Sequence, residues 1–71
     1  MNTSKNIGTQ LACWRIQKGL SQEKMAEMVC VSTRALQSWE AGKKTPRVDA
    51  LIRCANLMGT SLDILTGRAL E

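Results

Sequence analysis

Apolar residues along the chain recur at helical spacing, broken by glycines and by capping residues, and nowhere alternate as they would in a strand. In the first segment Ile7, Leu11 and Trp14 continue to Lys18 at i, i+4, i+7 and i+11, so the stripe runs into charge just before Gly19, a helix stop. Ser21 is placed to cap a second helix whose buried face is Met25, Ala26 and Val29, with Glu23 near its positive end. Ser32 is placed to cap a third, ended by Gly42. Thr45 followed by Pro46 reads as a cap with proline at the first helical position, and Val48, Leu51, Ile52, Ala55 and Met58 then form a stripe before Gly59. Ser61 opens a short fifth helix, Leu62 to about Thr66, before Gly67. The pattern predicts an all-α fold of five helices in one domain, residues 1–71, with no linker or repeat left over.

Length limits what such a bundle can do. A chain of 71 residues buries only about 60% of the surface that its unfolded form exposes, which leaves little room for an enclosed active site. No apolar run approaches the roughly 20 residues that cross a bilayer, and no charged-then-apolar leader opens the sequence, so the expected place is the cytoplasm with no membrane partner. Cys13, Cys30 and Cys54 are odd in number and widely spaced, and the chain has no histidine; neither a disulfide framework nor a zinc site is indicated, and the thiols read as small hydrophobes. No metal or other cofactor is expected. Glu23 and Glu27 are spaced for acid–base work, but without a nucleophile, phosphate cradle or metal spacing they read as a solvated face, and the chain is not expected to be an enzyme.

Charge adds a direction. The net charge is +4, and +3 of it lies between Ser32 and Arg53, where Arg34, Lys43, Lys44, Arg47 and Arg53 face Glu40 and Asp49. Such a distribution suits a polyanion. At about 100° per residue the third helix gathers Thr33, Gln37, Ala41, Arg34 and Ser38 on one side, with Leu36 and Trp39 opposite. Arg pairs bidentately with guanine, Gln with adenine, and Ser or Thr with either kind of group, so this face has the chemistry of a reader of base edges. Polar side chains on an exposed helix face are ordinary, and by themselves they decide nothing. The flanks give them context: Ser21 and Gln22 open the helix before, where free backbone N–H groups suit a phosphate, and Lys43, Lys44 and Arg47 follow. A reader between phosphate anchors is the arrangement of a helix-turn-helix.

The stretches IGTQLACWRIQKGLSQEKMAE, VSTRALQSWEAGKKTP and LMGTSLDIL resemble the lambdoid phage repressor and Cro type of helix-turn-helix regulator, also called the XRE family. The resemblance runs from about Ile7 to Leu65, a family-like core of about 7–66, and rests on the linked pattern of Arg15, Gly19 to Gln22, Ala26, Trp39, Glu40, Gly42, Pro46 and Gly59. It implies a compact five-helix lambda-repressor-like DNA-binding domain with the motif at helices 2 and 3. By position it implies base contacts from Thr33, Arg34, Gln37 and Ser38, and phosphate contacts from Gln22 and the loop bearing Lys43 and Lys44. Ser21, Ser32 and Arg47 join the phosphate set from their places beside the motif. It also implies an ion pair between Arg15 and Glu40; the wheel puts Glu40 on the edge of the packed face, which allows it. Three positions depart from the pattern: Cys30 stands where the turn is often glycine, Ala41 where asparagine is common, and Ala35 where a small hydroxyl residue is frequent.

The remaining residues have two readings each. Cys30 is either a turn residue or a thiol switch; Trp14 and Trp39 are either core or base-stacking; Cys54 reads as core. Ala50, Leu57, Ile64 and Leu70 either pack within the domain or form the contact of a homodimer. Recognition favours the dimer, because one reading helix discriminates weakly and two copies on a near-palindromic operator double the term. The expected function is a transcriptional repressor on double-stranded DNA. An antitoxin of the same fold with a toxin or other regulator as partner, and a protein-interaction module using the face of the third helix, are the alternatives.

Overall fold

The computed structural model describes residues 3–61 and residue 65. They form four helices, α1 (Thr3–Gln17), α2 (Gln22–Met28), α3 (Thr33–Glu40) and α4 (Val48–Met58), and no strand occurs among them. The expected fifth helix lies outside the described residues except for Leu65, which is helical, buried and donates its amide to the Ser61 carbonyl at 3.0 Å.

Helix starts follow the capping chemistry. The Ser21 and Ser32 hydroxyls accept the amides of Lys24 and Ala35, each at 3.0 Å, and so satisfy one orphan donor of α2 and of α3. The start of α4 differs from expectation. Thr45 and Pro46 precede the helix, Pro46 is buried in the approach segment, and Arg47 occupies the cap with extended backbone and no side-chain cap bond. The proline ring is thus used for packing ahead of the helix rather than for its first turn.

All four helices close through a left-handed residue. Gly19, Gly42 and Gly59 take this role after α1, α3 and α4, and Cys30 takes it after α2 at φ 61°. A residue with a Cβ pays about 1 kcal/mol or more there, and the amides of Cys30 and Val31, bonded to Glu27 and Ala26 carbonyls at 3.2 and 2.9 Å, hold it in place. Cys30 thus occupies the turn, with its thiol exposed.

The core gathers Ile7 and Leu11 from α1, Met25 and Ala26 from α2, Val29 at its end, Leu36 and Trp39 from α3, Ala50, Leu51, Cys54 and Ala55 from α4, and Leu65. Trp14, Leu57 and Met58 pack against it, half-buried. The apolar face of α4 is turned from the expected stripe toward Ala50 and Cys54, leaving Val48 and Ile52 69% and 41% exposed. Burial along α4 therefore does not follow the hydrophobicity of its side chains alone. Ala50 is accordingly core, not an exposed interface residue, and Leu57 packs on the same core; Ile64 and Leu70 lie outside the described residues. α1 crosses α3 at Gly8, where a Cβ would collide with the Trp39 carbonyl. At the opposite end, Arg53 Nε donates to the Val29 carbonyl at 2.7 Å and fastens α4 to the end of α2.

Cys13 and Cys30 are exposed, which corrects their reading as small hydrophobes, whereas Cys54 is buried as expected. Desolvation pushes the Cys54 thiol up from 9.0 to about 11, against the opposing charge of Arg53. The unfolded thiol ionises first, so stability present below pH 9 is lost as pH rises from about 9 to about 11. Denaturant titrations across that window are expected to show a steeper fall for the wild type than for Cys54→Ala; parallel curves contradict the assignment.

Candidate nucleic-acid interface

The short α2 and α3 are joined through Cys30, Val31 and the capping Ser32, which sets the two helices side by side with α1 behind α3. Leu36 and Trp39 anchor α3 inward. The other side carries Arg34 and Gln37, both exposed, and Thr33 and Ser38, both half-exposed. Ser21, Ser32, Lys43, Lys44 and Arg47 are all exposed. The cap bonds of Ser21 and Ser32 use hydroxyl oxygens as acceptors, which leaves each hydroxyl hydrogen available to donate outward. After α3 the chain turns at Gly42, and the Lys43 amide bonds to the Ser38 carbonyl at 2.9 Å, so the basic loop starts at the C-terminal end of α3.

Arg15 and Glu40 meet as a fork. Arg15 Nε donates to Glu40 Oε2 at 2.8 Å and Nη2 to Oε1 at 3.0 Å, while Nη1 donates to the Leu20 carbonyl at 2.9 Å. Their side chains are 15% and 8% exposed. The hydrogen bond and charge of Glu40 raise the Arg15 pKa further above its ordinary value, against the cost of burial, so the guanidinium stays charged. Gln22 Nε2 donates to Glu40 Oε1 at 3.0 Å, and Gln37 Nε2 donates to Gln22 Oε1 at 3.3 Å. Gln22, expected at the phosphates, is therefore engaged at both ends within the chain, though one amide hydrogen is still uncommitted.

Three structural roles were not read from the sequence. Gly8 had a signal, a glycine within a helical run, which costs about 1 kcal/mol and usually has a packing reason. Gln22 as an internal link and Arg53 as a fastener of α2 had none, because both depend on contacts between helices distant in sequence. Among the described residues there is no group of three or more His, Cys, Asp or Glu placed to hold a metal, and no helix is long and apolar enough to cross a membrane.

A family model for helix-turn-helix proteins matches residues 14–65, which spans α2, the turn, α3 and α4. The chain belongs to the helix-turn-helix family, in its phage repressor and Cro branch. Among curated proteins it is 33% identical over 59 residues to YonR, an uncharacterised HTH-type transcriptional regulator derived from the SPbeta prophage of Bacillus subtilis strain 168, covering 83% of this chain and 55% of that one. It is 35% identical over 57 residues to the HTH-type transcriptional activator BcrR of Enterococcus faecalis, covering 79% of this chain and 28% of that one. It is 34% identical over 61 residues to y4dJ, an uncharacterised HTH-type transcriptional regulator of Sinorhizobium fredii, covering 86% and 79%. The chain thus spans about half the length of the first of these relatives and less of the second. No solved structure matches.

Removal of one partner of the Arg15–Glu40 fork leaves a largely buried charge alone. Arg15→Met is expected to cost about 3 kcal/mol in chemical denaturation, with Arg15→Met/Glu40→Met recovering part of the loss. A loss in the double variant equal to the sum of the two single losses contradicts a direct pair.

Proposed function

We propose that this chain binds double-stranded DNA in a sequence-specific manner and regulates transcription, with α3 in the major groove. The observation that carries the reading is the outer face of α3: Thr33, Arg34, Gln37 and Ser38 lie away from the buried Leu36 and Trp39, with exposed Ser21 and Ser32 capping α2 and α3 and exposed Lys43, Lys44 and Arg47 in the segment that follows. Arg34 and Gln37 supply base discrimination, each good bidentate pair contributing about 1 to 3 kcal/mol. The basic loop supplies affinity without sequence.

Two or three such contacts discriminate weakly among genomic sites, so the chain acts as a homodimer on a near-palindromic operator, with half-sites about one helical turn apart. On α4 the surface available to a second copy is the exposed pair Val48 and Ile52, one turn apart, in place of Ala50 and Leu57. Repression is the sign of control that the resemblance to the phage repressor family supports.

Titration of labelled duplexes with the purified chain tests the division of labour. Arg34→Ala or Gln37→Ala is expected to relax preference at one base position per half-site, and Lys43→Ala to weaken all sequences alike and reduce the salt slope by about one. Two chains should bind each operator, and Ile52→Glu should abolish that stoichiometry. Equal losses on every duplex for all three alanine variants contradict the assignment of reader and anchor. Absence of salt-dependent duplex binding contradicts the function and favours a protein partner for the α3 face.

A further inference from the structure

The turn between α2 and α3 depends on the rotation of one peptide plane, set by ψ of Val29 at 10° and φ of Cys30 at 61°. A flip of that plane would carry Cys30 from the left-handed region to extended backbone, where its Cβ no longer crowds the following carbonyl. Gly19, Gly42 and Gly59, the stops after α1, α3 and α4, gain no such relief, because a residue without Cβ is at ease in the left-handed region. Among these four stops only Cys30 is strained in a way that a flip would release. Two hydrogen bonds at the atoms of the plane itself oppose it. The Cys30 amide donates to the Glu27 carbonyl at 3.2 Å, and Arg53 Nε donates to the Val29 carbonyl at 2.7 Å. The second is the shorter, it is charge-assisted, and it meets a carbonyl that the end of α2 leaves without a helical partner. Asp49 lies 3.6 Å from Arg53 Nη1, largely in solvent, which leaves the Nε bond as the main tie of this side chain.

We propose that Arg53 is a positioning residue for operator recognition, which locks the Val29–Cys30 peptide and so keeps the α2–α3 turn in the form that presents the reading face; this deepens the DNA-reading function above and rests on it. Ser32, two residues beyond Cys30, caps α3, so a flip at Cys30 redirects α3 relative to the start of α2 at Ser21 and Gln22. Base contacts from α3 and phosphate contacts from the start of α2 then cannot be made together. The basic loop keeps its charge throughout. A flipped turn therefore loses discrimination between sequences before it loses non-specific affinity. Arg53 acts from α4, on a carbonyl 24 residues earlier in the chain, and the lock is needed because the turn residue is cysteine.

Affinity for a duplex that the wild type selects from a randomised pool is compared with affinity for a scrambled duplex, using the wild type, Arg53→Met, Cys30→Gly and the double variant. Each is assayed well below the midpoint of its thermal transition. Met keeps most of the Arg53 stem and removes the donor. Arg53→Met is expected to lower the ratio of the two affinities about tenfold, by weakening the selected duplex alone. Cys30→Gly should keep the wild-type ratio, and in the double variant it should restore most of what Arg53→Met loses, because glycine has no strain to release by flipping. An unchanged ratio in Arg53→Met, with only the melting midpoint lowered, overturns the proposal and leaves Arg53 as a fastener of helices. Equal loss on both duplexes with the salt slope reduced by about one, indifferent to residue 30, overturns it in favour of a phosphate contact. A wild type that selects no sequence removes the DNA reading itself, and the positioning role with it, before any variant is compared. A second readout needs no variant to fold: in the free wild type the Arg53 Nε proton should exchange slowly with solvent and lie near the Val29–Cys30 peptide by nuclear magnetic resonance. A rapidly exchanging Nε proton overturns the lock.

Discussion

Glu40, at the end of α3, accepts hydrogen bonds from Arg15 of α1 and Gln22 of α2, so one carboxylate fixes the two helices that determine where the outer face of α3 points. The neighbouring Gly8 contact makes this possible. Without a Cβ at position 8, α1 lies directly against the Trp39 carbonyl, close enough for the Arg15 fork to reach Glu40. A pair of this kind contributes geometry more than net stability, since removing two charges from water offsets much of their attraction. Geometry is what a reading helix requires, because hydrogen bonds to base edges tolerate little displacement.

The chain is small enough that its local choices must agree. Serine caps open both helices of the motif, left-handed residues close all four helices, and no buried side-chain polar atom among the described residues lacks a partner. The exception is Cys30, which occupies a left-handed turn at a cost that its glycine counterparts avoid. Arg53 compensates in part by holding the Val29 carbonyl, which anchors the end of α2 just before the strained residue.

Much of this was legible in the sequence because caps and stops are local. Ser21, Ser32, Gly19, Gly42 and Gly59 mark boundaries by chemistry that acts within a few residues, and the angular spread of Thr33, Arg34, Gln37 and Ser38 about α3 follows from helical geometry alone. The register of α4 was not legible. Hydrophobicity ranks Val48 and Ile52 above Ala50 and Cys54, but which side turns inward is decided by the shared core that the four helices form together, and there the small residues are the buried ones. The same limit hid the second role of Gln22: its position beside the motif is readable, whereas its bonds to Glu40 and Gln37 exist only after three helices meet. The family resemblance placed Arg15 opposite Glu40, a pairing that spacing alone allowed without selecting.

The central claim is that the outer face of α3, framed by Ser21, Ser32 and the Lys43–Arg47 loop, is where DNA is held. Backbone amide resonances of the isotopically labelled chain, followed as a duplex selected from a randomised pool is added, test it most directly. The account predicts changes concentrated at Ser21, Gln22, Ser32 to Ser38 and Lys43 to Arg47, with the exposed end of α1 around Cys13 and Ile16 unaffected. Changes centred on that end of α1, with the α3 face silent, would contradict it.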